Sequence, residues 1–231
     1  MTQESNIFST QMQPSISSYS DHIIISYPLD DLKKKYPNGT DDSLVLFTAL
    51  DYLAYDISHF HIEALKIGLC FRGAITVGDL YFDRDQNIIN GESLNEAIED
   101  ESKLANYPRV ICSKSLLEYD KKIHKNSHSS PTSLSTNFKR DFDGNYFVDY
   151  IGLLFKHFTE KNRIFALKEI RKCIETSIQI NKDEKLPILS KWYWLANYFD
   201  TNLKHWKNNK KELEYWNITE EINSIYSFDL S

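Results

Sequence analysis

Between Asp41 and Ile67, apolar residues recur at Leu46, Leu50, Leu53, Ile57, Phe60 and Leu65. Steps of three to five place them along one stripe, so the spacing predicts a single amphipathic helix of about 40 Å, with Asp41 or Asp42 as its cap. An apolar stripe that long has to be covered by other elements, and the runs on either side of it are β-prone. Upstream, ISSYS and HIIISY read as a hairpin over residues 16–27 that meets at Ser20 and Asp21. Downstream come two extended runs, LCFRGAITVG and DLYFDRDQNII, separated by Gly78 and Asp79. A helix from about Glu92 to Ala105 follows, then the strand PRVICS. Helices and strands interleaved in this way predict a mixed α/β domain of the α+β kind.

Four of the seven glycines, Gly68, Gly73, Gly78 and Gly91, fall within this one stretch, where the backbone needs close approaches or left-handed turns. The clustering marks the working part of the chain. Residues 125–140 (KNSHSSPTSLSTNFKR) are rich in Ser, Thr, Asn and Pro and read as an exposed loop or linker. Beyond it, residues 145–180 and 189–206 carry helical periodicity, with Trp192, Trp194, Trp206, Tyr198 and Phe199 among their aromatics. The expected organisation is a core over 1–124, a linker over 125–144 and a helical extension over 145–231. About 60 helical residues form too small a core to stand alone, so the extension is expected to pack on the rest of the protein or on a dimer interface.

Charge and cysteine usage exclude several classes. A net charge of −6 argues against a nucleic-acid-tracking surface, because such domains run basic. Three cysteines without a CxxC pair indicate neither a disulfide framework nor a zinc ribbon, which suits a reducing cytoplasm. No apolar run is long enough to span a membrane, and residues 1–11 lack the basic and apolar regions of a secretory signal. The seven histidines form no HExxH motif. Neither GxxxxGK[ST] nor GxGxxG occurs, which removes P-loop and Rossmann readings. At helical spacing the Trp192/Trp194 cluster reads as core packing rather than a base-stacking platform.

Four segments in order carry a resemblance: YSDHIIISYP, RGAITVGDLYF, INGESLNEAIEDESKLANYPRVICS and KWYWLANYF. Together they resemble the class III (adenylate/guanylate) nucleotidyl cyclase-like family, closest to the pyrimidine cyclases of the Pycsar antiphage system. The resemblance spans roughly Ser15 to Phe199. It implies a cyclase palm with a ferredoxin-like βαββαβ core, and a cytoplasmic homodimer that turns UTP, or CTP, into a 3′,5′-cyclic nucleotide and so activates a cyclic-nucleotide-gated effector. It also implies Mg²⁺ or Mn²⁺, held on the triphosphate by two carboxylates while the 3′-hydroxyl attacks the α-phosphorus.

Carried onto this chain residue by residue, the resemblance makes Asp21 a metal carboxylate, although a hairpin turn favours aspartate on its own account. The partner carboxylate belongs to an earlier strand of the form F.DILGF, which the residues before Asp21 do not contain. That strand is central in the palm, so its omission would leave backbone groups on both neighbours unpaired; the expectation is a translation start upstream of Met1. Asn95, four residues after Gly91, matches the asparagine that orients the ribose, and a solvent-facing helix residue is the equal alternative. The family's arginine for phosphate charge falls on Glu99. That charge must then be met by Arg72, Lys103, Arg109 or a second protomer. Arg72 has an alternative role in an ion pair with Glu101, and Arg109 as anchor of a helix–strand junction. Ser17 stands where the family selects its base; a short hydroxyl matches neither purine pattern and points to a pyrimidine.

Overall fold

A computed structural model describes residues 14–207, apart from 20, 84, 85, 87, 126–133, 135, 184 and 185 and the side chains of 19 and 205–207. The expected turn residue Ser20, the Trp206 side chain and most of the Ser/Thr-rich linker therefore lie outside the described residues.

The chain is a mixture of helices and small sheets, an α+β arrangement. It opens with an antiparallel hairpin of β1 (Ser15–Tyr19) and β2 (His22–Ser26), in which Tyr19 faces His22 across the turn. The short helix α1 (Leu29–Lys34) leads into α2 (Asp42–Lys66). Asp41 caps α2 by accepting the Ser43 N–H at 2.9 Å, which satisfies one of the free donors of the first turn. Val45, Leu46, Ala49, Leu50, Ala54, Ile57, Ile62 and Leu65 are buried along it.

The main sheet has the order β3 (Gly73–Ile75), β6 (Val110–Cys112), β8 (Tyr146–Val148), β7 (Phe138–Arg140). β3 and β6 run parallel, as strands joined through a helix do, and α3 (Glu92–Lys103) makes the crossover. The other neighbours are antiparallel. Side chains alternate across this sheet. Ala74, Ile111 and Phe147 join one core with Ile151, Ile170, Trp194 and Phe199, while Ile75, Cys112 and Val148 join another with Leu46, Leu50 and Leu116. The first core is built by α5 (Tyr150–His157), α6 (Glu160–Ile180) and α7 (Leu186–Lys207). The second is built largely by α2 and α4 (Lys114–His124). The C-terminal helices thus cover one face of the sheet and share its core.

The structure corrects two expectations and separates the first hairpin from the main sheet. The run from Asp79 to Ile89 is not one strand but a hairpin of β4 (Tyr81–Asp83) and β5 (Ile88–Asn90). The linker expected over 125–144 contributes β7, with Phe138 buried, and the boundary at 145 falls inside the β7–β8 hairpin. The β7–β8 hairpin has strands three residues long, too short to show a period in the sequence. Its turn carries the signal instead: Asp141 accepts the Gly144 N–H at 3.0 Å, with Gly144 at φ 87°, a left-handed conformation that suits glycine. Lastly, the β1–β2 ribbon forms a sheet of its own, and β3 ends the main sheet with no strand on its outer side among the described residues.

Candidate functional site

Asp21 stands in the turn of the β1–β2 hairpin with its side chain 87% exposed. Its Oδ1 lies 3.1 Å from His22 Nδ1. Ser17 sits two residues before the end of β1, opposite Ile24, and is half-buried. Two-residue connections of this kind hold a carboxylate away from the body of the protein, so Asp21 is free to meet a solvent cation.

The second group gathers on β3 and α3, which pack against one another. Gly91 precedes α3, and a methyl group at its Cα would lie 2.4 Å from the Asp79 carbonyl oxygen, so only glycine permits this approach. Ser93 Oγ donates to that same carbonyl at 2.8 Å, and Thr76 Oγ1 donates to the Ser93 carbonyl at 3.0 Å, locking the start of α3 to the end of β3. Asn95 follows with its side chain exposed, its backbone N–H bonded to the Gly91 carbonyl at 3.2 Å. Arg72, just before β3, pairs with Glu101 of α3 through Nε at 2.5 Å while remaining 40% exposed. Two residues before Glu101 on α3, Glu99 pairs with Lys103, and the two hold one another's charges: the ammonium lowers the carboxyl pKa and the carboxylate raises that of the amine.

Arg109 is corrected as a substrate-binding residue. It is fully buried, its guanidinium bonded to Asp141 and Asp143 and flanked by the rings of Tyr107, Phe147 and Trp194 at 5.3 to 5.8 Å. A phosphate could reach it only by dismantling the core. Burial by itself raises the Asp143 carboxyl pKa, but hydrogen bonds from Arg109 and Asn145 outweigh it and hold the group below its ordinary value. The anchoring role at the helix–strand junction is therefore the one it fills.

Both acceptors belong to the DFDG turn, within the stretch expected to be linker and 32 and 34 residues beyond Arg109. A second buried network centres on Asp149, at the cap of α5. Asp149 Oδ1 accepts from Tyr198 Oη at 2.6 Å and from the Gly152 N–H at 3.1 Å, and Oδ2 lies 3.1 Å from Lys139 Nζ.

Among the described residues, no group of three or more His, Cys, Asp or Glu side chains could hold a metal ion. Asp21 offers one hard oxygen ligand, which suits Mg²⁺ or Mn²⁺ in kind but does not complete a site for either. A small cleft lined by Leu29, Asp30, Lys33, Asp42 and Tyr119 is closed by the Lys33–Asp42 pair at 2.5 Å and involves none of the five expected site residues. The cysteines are free. Burial raises the Cys112 thiol well above its ordinary value, so it is no ready nucleophile. No helix among the described residues is long and apolar enough to cross a membrane. In comparisons with known proteins, the chain matches no family model, no curated protein and no solved structure.

Proposed function

We propose that this chain is the cyclase-like part of a pyrimidine nucleotide cyclase, acting on UTP or CTP in antiphage signalling as a homodimer. In the reaction the 3′-oxygen bonds to the α-phosphorus, the bond to the β-phosphate breaks, and pyrophosphate leaves. Asp21 carries this reading: its carboxylate stands in solvent at the tip of a hairpin, beside the neighbouring His22. A divalent cation bound there would neutralise triphosphate charge. Asn95 on the exposed side of α3 and Arg72 at the margin of β3 supply the ribose contact and an accessible guanidinium. The Ser17 hydroxyl supports a pyrimidine.

A second reading, a catalytically silent nucleotide-binding or interaction module of the same fold, rests on a separate observation. Each cation expected to meet phosphate charge is matched to a carboxylate: Arg72 to Glu101, Lys103 to Glu99, Arg109 to Asp141 and Asp143.

One experiment separates the two. The protein is titrated with Mn²⁺ and each nucleoside triphosphate, paramagnetic broadening of its amide resonances is followed by NMR, and the products are analysed by mass spectrometry. Broadening centred on residues 17–24 that Asp21→Ala abolishes, together with cyclic UMP or cyclic CMP, supports the enzyme. The same broadening without product supports the silent module. Broadening undiminished in Asp21→Ala, or cyclic AMP as the sole product, overturns the reading.

A further inference from the structure

We draw no further inference here: the strongest candidate, the outer edge of β3 at the end of the four-stranded sheet, is unpaired among the described residues, and nothing in the structure shows what covers it.

Discussion

Arg109 and Trp194 meet on one carboxylate: the Arg109 guanidinium and the Trp194 indole N–H, the latter at 2.8 Å, both donate to Oδ2 of Asp141. This joins the entry to β6, the β7–β8 turn and α7 at a single atom. Removing the arginine leaves the largely buried Asp141 and the more exposed Asp143 without their counter-charge. Arg109→Met is therefore expected to cost about 3 to 5 kcal/mol, as breaking a buried pair on one side does. Adding Asp141→Asn and Asp143→Asn to it should recover part of that loss. Urea denaturation of the three proteins checks this; a single variant as stable as the parent would refute the anchoring role.

Trp194 contributes both a ring and a donor. Its ring stacks with Tyr107 and Tyr198, at centroid separations of 5.6 and 5.2 Å. Trp194→Phe keeps an aromatic ring and loses the hydrogen bond to a charged acceptor, at about 1.5 to 3 kcal/mol. Trp194→Ala empties the site and should cost about 3 to 5 kcal/mol. Because α7 shares the core of the sheet, either loss should lower one cooperative transition of the whole chain, read by calorimetry. A separate C-terminal transition would contradict the shared core.

His61 makes stability depend on pH. It is buried against the Tyr150 ring at 4.3 Å, its Nε2 has no partner, and burial pushes its pKa down to about 3. In the unfolded chain it titrates near 6.5. Above that pH neither state is protonated and the group contributes no pH dependence. As pH falls from about 6.5 toward 3, the unfolded state takes up a proton that the folded state refuses. Stability then drops by up to ~1.4 kcal/mol per pH unit, or about 2 kcal/mol between pH 7.5 and 5. His61→Phe should flatten this interval in denaturation measured at the two pH values, and an unchanged slope would count against it.

Gly91→Ala tests the close approach at the start of α3. The added methyl group meets the Asp79 backbone rather than a flexible side chain, so the β4–β5 hairpin or α3 must shift. A cost of about 1 to 3 kcal/mol is expected, as for overpacking elsewhere. Amide exchange should quicken at Ser93 and Asn95 in this variant; exchange and melting temperature equal to the parent's would show that the contact is soft.

Asp21→Ala separates function from stability. At a side chain 87% exposed, the substitution should move the folding free energy by no more than about 0.5 kcal/mol. Loss of cation binding with an unchanged melting temperature is the outcome expected of a ligand. A large loss of stability would instead make Asp21 a structural turn residue.

The elements whose cause is local are legible in the amino-acid sequence. The period of α2 and its Asp41 cap, the β1–β2 hairpin that presents Asp21, the helix after Gly91 and the strand of PRVICS are all written in neighbouring residues, because helix period, capping and turn chemistry act within a few positions. The Arg72–Glu101 pair was legible as an alternative for the same reason, with both residues beside one strand–helix unit. Only the tertiary structure decided where Arg109 goes. Its partners Asp141 and Asp143 sit on a turn between three-residue strands, and no local pattern says that this turn folds back onto β6. Burying a guanidinium requires carboxylates to arrive with it, since an unpaired buried charge is too costly to keep. That requirement is met by chain segments distant in sequence, and so it becomes visible only once they are packed together.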